Sequence, residues 1–493
     1  MKFSTCAEVK AAEESLFATG ISPEALMDQA ALRIAQVIQN FHPAPGTAVA
    51  VVGKGNNGGD ALVVLDHLQA AGWKIAIRMA HETADLTPLA RKKFEKLDSP
   101  EVLTTLGKSD FSPGPLVLID GLLGIGTRGD LREPLATLAE EINAFQSTGR
   151  AQVVAIDLPS GLSADSGTPG SPCVTADLTC VIGIPKLGLV SDDATNKVGR
   201  IAFIPLPGLT DDPVGDRLIT PATLPVSRLV RSFDFHKGMA GRLGIVAGGE
   251  GTYGAAVLTC LGALHGGAGL ITLYAHREDF AFLANLVPPE IMVKPVDGIT
   301  ELLEDRLDAL VIGPGLGSEV DDDILTVLTD FDKPTVVDAD GLNAIARNDA
   351  QNIFDSRHLI TPHPGELSRL FPGATGTRSG IARHITASCP ATLLYKGART
   401  IIAAAGAPLA YNTTGTPGMS TGGSGDLLSG LCGAFLARGI PVDATASLAA
   451  WTAGRAAELA LSHGGESIES VTPARSAQFI GRALNDLRYQ SAV

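Results

Sequence analysis

Positive charge is scarce in this sequence: 38 Lys and Arg stand against 53 Asp and Glu, a formal net charge of −15. A field of that sign repels phosphate backbones and anionic lipid surfaces, so neither a nucleic-acid nor a membrane partner is expected. Any phosphate ligand has to be caught locally, by backbone amides and helix N-termini. Paired cysteines are missing too. Cys6, Cys173, Cys180, Cys260, Cys389 and Cys432 form no CxxC, which argues against a zinc ribbon or a disulfide framework and for a reducing compartment. The N-terminus, MKFSTCAEVKAAEES, gains acidic residues where a signal peptide needs an apolar stretch, so a cytoplasmic protein is expected. The run that comes nearest to a membrane span, Gly251 to His276, is uncharged but carries six glycines and reads as a glycine-rich helix followed by a buried strand.

What the chain has is length, glycine and alternation. Its 493 residues exceed the ~250–300 at which single cores stop growing. Ser22-Pro23 ahead of Leu26, Met27, Ala30, Ala31, Ile34, Val37 and Ile38 predicts a capped amphipathic helix. Apolar runs at 47–53, 74–80, 116–120, 152–157, 178–184 and 200–206 then alternate with helical segments from Ala61, near 87–97 and near 134–146. That rhythm predicts a parallel α/β sheet. A proline-rich, aperiodic stretch follows, with the linker set at 213–227 between a domain over 1–212 and a second over 228–493. Alternation restarts at 241–248, 270–275, 291–296, 309–315, 335–340, 359–363 and 392–396, and ends in a helical tail from Asp426. In open parallel sheets ligands sit beyond the carboxyl ends of strands. The loops after strands are therefore the places to look.

In the first half, VAVV runs into Gly53-Lys54-Gly55-Asn56-Asn57-Gly58-Gly59-Asp60, a literal GxGxxG between a strand and a helix. The acid that ends the second strand of a hydride-transferring dinucleotide domain is not evident; that strand ends Arg78-Met79-Ala80-His81. Two further strand-end loops begin with an acid: Asp120-Gly121-Leu122-Leu123, leading into Gly124-Ile125-Gly126-Thr127-Arg128-Gly129-Asp130, and Asp157-Leu158-Pro159-Ser160. At one sheet edge, Asn57, Asp120 and Ser160 offer oxygens to a weakly held monovalent cation, and the 124–130 loop can wrap phosphates. The plainer reading is that these acids cap turns. GNNGGD, DGLLGIGTRG, DLPSGL and IPKLGL resemble the epimerase domain of NAD(P)H-hydrate repair enzymes. The resemblance implies a Rossmann-like three-layer fold acting on NADHX and NADPHX, hydrated at C6 of the nicotinamide ring. It further implies potassium at Asn57, Asp120 and Ser160, with substrate contacts at Asn56, Asn57, Gly58, Gly59, Asp60, the 124–130 loop and Asp157. Ala61 stands where the family usually has glycine, and its methyl is expected to crowd the helix start. Asp157, alone or with Lys186, supplies the acid–base chemistry; a solvated surface lysine is the alternative for Lys186.

In the second half, a glycine-rich run precedes a helix expected near Leu427, and its free amides plus the helix dipole make an anion hole. Asp426 at the helix mouth is placed as base toward a hydroxyl that attacks a phosphoryl group. This loop resembles that of the ribokinase-like superfamily, implying a second three-layer α/β domain. HKGMAGRLGIVAGG, TYGAAVL, IGPGLG, DADGLN, TPHPGEL, LYKGART and GMSTGGSGD together resemble the ADP-dependent NAD(P)H-hydrate dehydratase. The resemblance implies hydrate contacts at Ala255, Gly317, His363, Pro364, Gly365, Glu366 and Asp426. It places ADP, with Mg2+ on its phosphates, along Lys396-Gly397-Ala398-Arg399-Thr400 and Thr416-Pro417-Gly418-Met419-Ser420-Thr421-Gly422-Gly423-Ser424-Gly425. The order of the two halves is that of the bifunctional repair enzymes, and a homo-oligomer is expected. His363 also reads as a strand-end turn residue, and Asp338 and Asp340 as caps of the next helix. A vitamin-precursor kinase fused to a dinucleotide sensor, and a first half that binds without catalysing, remain open alternatives at this point.

Overall fold

The computed structural model describes residues 2–106, 111, 114–126, 129–209 and 215–489. They divide into two compact units, one running to Leu218 and one starting at Ile219. The first is built on a seven-stranded sheet of β1 (Thr47–Val52), β2 (Lys74–Met79), β3 (Glu101–Val102), β4 (Leu116–Gly121), β5 (Gln152–Ile156), β6 (Leu178–Ile182) and β7 (Arg200–Ile204). Its order is β3-β2-β1-β4-β5-β6-β7, and its pairs are parallel.

Why the strand runs carry no polar alternation is plain from their burial: all six residues of β1 and of β4 are buried, as expected for a sheet covered on both faces. Ala48, Ala50 and Val52 join one core with helices Pro23–Phe41 and Asn56–Ala70; Val49 and Val51 join the other, with helix Leu135–Gln146. Three layers result. Register then fixes the site, because Val51 lies level with Asp120, and Asp120 with Ala155. The turns after β1, β4 and β5 emerge side by side.

The second unit carries a ten-stranded sheet of β8 (Arg217–Ile219), β9 (Arg242–Val246), β10 (Leu270–His276), β11 (Met292–Val296), β12 (Ala309–Ile312), β13 (Thr335–Val337), β14 (His358–Ile360), β15 (Thr392–Tyr395), β16 (Ile401–Ala403) and β17 (Ala410–Asn412), in the order β11-β10-β9-β12-β13-β14-β15-β16-β17-β8. From β11 to β15 the pairs are parallel, and β16 and β17 are antiparallel additions. The uncharged 251–276 run is helix Tyr253–Gly266 and then β10. Glycines serve packing here: a Cβ on Gly262 would lie 2.1 Å from the Leu427 carbonyl oxygen, and one on Gly430, in helix Ser424–Ala437, would lie 1.9 Å from that of Thr259. Helices Tyr253–Gly266 and Ser424–Ala437 therefore meet backbone to backbone. Among the described residues, no helix is long and apolar enough to cross a membrane.

Three expectations shift. The first-half helix starts at Asn56, not Ala61, and the glycine-loop helix starts at Ser424, not Leu427. In the former, the glycines form the tight first turn: a Cβ on Gly58 would sit 2.1 Å from the Gly53 carbonyl oxygen. Residues 217–219, inside the stretch read as linker, form β8. A three-residue strand is too short to show a period.

Candidate active sites

In the first unit, Asp120 is the penultimate residue of β4, with no exposed surface. Its Oδ1 accepts from Leu122 N (3.2 Å) and Ser160 Oγ (2.7 Å), and its Oδ2 from Ser160 N (2.7 Å). Burial pushes this carboxyl up to about 6, against the pull of the three donors. Ser160 Oγ also accepts from Leu123 N at 2.9 Å, and Asn57 Nδ2 donates to the Leu123 carbonyl at 3.1 Å. The trio read from the sequence thus converges on the Leu123 backbone. Asn57 Oδ1 faces Gly124, 3.4 Å from where a side chain there would begin.

Asp157 follows β5 directly and sits at φ +67°, a left-handed conformation costing a non-glycine residue about 1–2 kcal/mol. Strain of that kind is held where function needs it. Its Oδ1 accepts from Ile182 N at 3.1 Å and from the Lys186 ammonium, which also donates to the Ile182 carbonyl at 3.2 Å. Lys186 is 1% exposed, which overturns the solvated-surface alternative. Asp60, at the fifth position of helix Asn56–Ala70, faces the same acids. Burial raises its carboxyl well above the ordinary range, and Asp157, Glu13 and Asp28 add to the rise. Glu13 was not foreseen. It lies on helix Cys6–Ala18, and burial and then Asp157 raise its carboxyl while Lys186 lowers it. That helix is tied down by Ser4, which pairs with Lys186, and by Cys6, whose Sγ donates to the Ile125 carbonyl at 3.5 Å.

Of the 124–130 loop, Thr127 and Arg128 lie outside the described residues. Asp130, expected on substrate, accepts from the Ser171 amide at 2.8 Å. The Ala61 methyl does not crowd the helix: it is fully buried opposite Gly121, where a second Cβ would lie 2.6 Å from it. Glycine at 121 makes the room.

In the second unit, register sets the ends of β9, β12, β13, β14 and β15 side by side. Ala255 lies in the first turn of helix Tyr253–Gly266, against Gly315. Gly317 N donates to Asp340 Oδ2 at 2.9 Å. His363 caps helix Pro364–Leu370, its Nδ1 accepting from Gly365 N at 3.0 Å, so the turn-residue reading describes its contacts. Pro364 opens that helix, and Glu366 folds back to accept from His363 N at 2.8 Å.

Lys396, expected along the nucleotide, is ion-paired within the site. Its ammonium lies 2.8 Å from Asp338 Oδ1 and 3.8 Å from Glu366 Oε2. Burial works against its charge, but Asp338, Glu366 and Asp426 together hold its pKa above the ordinary value. Asp338 is 1% exposed and also accepts from Ser429 Oγ at 2.7 Å, so it is no helix cap. Arg399 is likewise turned inward. Burial, then Arg378, lowers its guanidinium to about 10, and the residue is 5% exposed.

The glycine run folds as a short turn at Pro417–Met419 and then helix Ser424–Ala437, entered through Gly423 at φ +90°. Gly418 packs where a Cβ would meet Val471 Cγ1 at 2.4 Å. Beside the run lies a small cleft lined in part by Gly418, Met419, Thr421, Ser424 and Leu427. Asp426, in the helix's first turn, is pushed up to about 6: burial dominates, Asp338, Glu366 and Asp340 add to it, and Lys396 opposes it. A carboxyl with that pKa is a base matched to neutral pH.

Two family models match: one described as NAD(P)H-hydrate dehydratase over residues 243–477, and one described as YjeF-related protein N-terminus over residues 23–188. The bifunctional NAD(P)H-hydrate repair enzyme Nnr of Gloeobacter violaceus is 36% identical over 459 residues, 88% of this chain and 88% of that protein. This chain belongs to the family of bifunctional NAD(P)H-hydrate repair enzymes. Nnr of Moorella thermoacetica is 34% identical over 477 residues, 90% of this chain and 89% of that protein. Among solved structures, the ADP/ATP-dependent NAD(P)H-hydrate dehydratase of Bacillus subtilis, co-crystallised with ATP and Mg2+, is 26% identical over 54% of this chain and 95% of its own, with a TM-score of 0.45. The repair enzyme thus carries an epimerase in its first unit and a nucleotide-dependent dehydratase in its second. The kinase-plus-sensor reading falls with that assignment.

Proposed function

We propose that the two sites act in succession on one damaged coenzyme, Asp157 and Lys186 exchanging the C6 epimers and Asp426 driving ADP-dependent loss of water from the S form. The hydroxyl-bearing C6 adjoins the ring nitrogen and is a hemiaminal centre. Removal of the hydroxyl proton by Asp157 lets the C6–N1 bond open to an aldehyde, N1 keeping the electron pair and gaining a proton. Closure on the other face inverts C6. Lys186, bonded to the same carboxylate, supplies and recovers the proton.

At the second site, Asp426 takes the C6 hydroxyl proton while the oxygen attacks the terminal phosphoryl group of ADP, and AMP departs. Phosphate then leaves C6 with loss of a C5 proton, restoring the double bond. Hydroxide leaves poorly and phosphate well, which is why a nucleotide is consumed. Amides of the 416–425 run and the N-terminus of helix Ser424–Ala437 stabilise the charge that develops.

The donor set at Asn57, Asp120, Ser160 and the Leu123 backbone fits potassium: it is all oxygen, and neutral donors alone accompany the buried Asp120 charge. Potassium held there would supply a fixed positive charge to the site. No cluster of three or more acid, His or Cys side chains that suits a metal occurs among the described residues. Mg2+ arriving with the nucleotide would supply charge neutralisation.

The observation that carries the reading is Asp426: a carboxylate with a raised pKa at the mouth of a glycine-built anion hole. The test supplies the full chain with mixed hydrate epimers and omits ADP and potassium in turn. Recovery of dihydronicotinamide absorbance, with one AMP and one phosphate per hydrate, is expected only with ADP. Recovery without nucleotide, or a stable phosphorylated product, contradicts it.

A further inference from the structure

Asp338 has no part in the chemistry above, yet it is the most enclosed charge in the second unit's site. It is 1% exposed, one residue beyond the end of β13, and neither oxygen is free to accept a substrate proton. Oδ1 holds the Lys396 ammonium at 2.8 Å and Oδ2 holds Ser429 Oγ at 2.7 Å. Ser429 stands three residues after Asp426 on helix Ser424–Ala437, so the two share one face of its first turns. A Cβ on Gly425, just before Asp426, would begin 3.3 Å from Lys396 Nζ and 3.6 Å from Asp338 Oδ2. The ion pair therefore lies directly under the turn that presents the base.

We propose that Asp338 is a positioning residue for the dehydration, one oxygen pinning Lys396 beneath the glycine loop and the other pinning the helix that carries Asp426. The inference rests on Asp426 being the base. An ammonium left loose at that floor would swing to Asp426, pair with it and weaken it as a base. Bound to Asp338, it stays in place and remains a fixed positive charge for the phosphoryl group in flight. Four charged groups face Asp426: Asp338, Glu366 and Asp340, which disfavour its ionisation, and Lys396, which favours it. Loss of the Asp338 charge removes a repulsion and frees the attraction. Both changes act in one direction.

The experiment is the pH profile of ADP-dependent dehydration by the full-length Asp338→Asn chain, with epimerisation measured on the same sample. The acid limb of kcat is expected to move to lower pH by about one unit. The plateau is expected to fall about tenfold, while KM for ADP changes little. A plateau that falls with the acid limb in its wild-type place means a structural role only and overturns the proposal. Should Asp338→Asn fail to fold, Ser429→Ala takes its place, since it removes one anchor and leaves the ion pair. A kcat several-fold lower at unchanged KM supports the proposal, and a wild-type kcat overturns it. Asp426→Asn separates the two levels: if that variant still dehydrates, the assignment of the base fails. If it is inactive while Asp338→Asn and Ser429→Ala behave as wild type, only the positioning role fails.

Discussion

Each unit sets carboxylates at the carboxyl ends of its parallel strands, but the two sites divide the labour of their buried acids in opposite ways. In the first, Asp120 is satisfied by neutral donors, and Asp157, the acid proposed as reactive, holds the lysine. In the second, Asp338 holds the lysine, and Asp426, the proposed base, is left with a raised pKa. The contrast follows from the chemistry. Exchanging protons at a hemiaminal needs an acid and a base in contact, whereas phosphoryl transfer needs a lone base beside an anion hole.

The largest expected effect breaks the comparison at its reactive ends. Asp426→Asn should lower ADP-dependent dehydration by about 10²–10⁴-fold and spare epimerisation, and Asp157→Ala should do the reverse, as steady-state rates on resolved epimers will tell. Equal losses of both activities in either variant would defeat the division into two sites. Next in size is Lys186→Met, which leaves the strained Asp157 without its buried partner. Epimerisation is expected to drop about 10²-fold with dehydration of the S epimer unchanged. A lysine serving only stability would instead lower the melting temperature at constant rate.

The pH response sharpens the contrast further. Asp426 acts ionised and its pKa is raised to about 6, so kcat for dehydration should fall as pH drops through about 6 and level off above it. A limb near 4, the ordinary range for a carboxylate, would contradict the environment described. Potassium should matter to one activity only: its replacement by a large organic cation is expected to slow epimerisation severalfold, and Asp120→Asn to abolish that response. The smallest effect concerns Ala61. Ala61→Gly removes a methyl buried against Gly121 and adds backbone freedom in a helix, so it should cost about 1 kcal/mol in denaturant unfolding and leave both activities alone.

Much of this architecture could be read from residue order. Acids at strand ends, glycines before helices and uninterrupted apolar strands located the loops that register brings together, because each signal lies within a few residues of its consequence. Asn57, Asp120 and Ser160 were legible in that way. Asp338 was not, since its partners Lys396 and Ser429 lie 58 and 91 residues away and the same DADGLN run equally suits a helix cap. Glu13 carries no local mark at all; its role is created when the N-terminal segment pairs with Lys186. Nor was the burial of Arg399 legible, because nothing in a glycine-rich loop marks which way its basic side chain turns.

The central claim is that two independent sites share one damaged coenzyme, and mixing two crippled chains tests it most directly. Asp157→Ala alone, given ADP and both epimers, should stop once the S fraction is spent, and Asp426→Asn alone should yield no reduced coenzyme. Mixed together, they should convert both epimers to completion with one AMP released per molecule repaired. A mixture that performs no better than Asp157→Ala by itself would contradict the account.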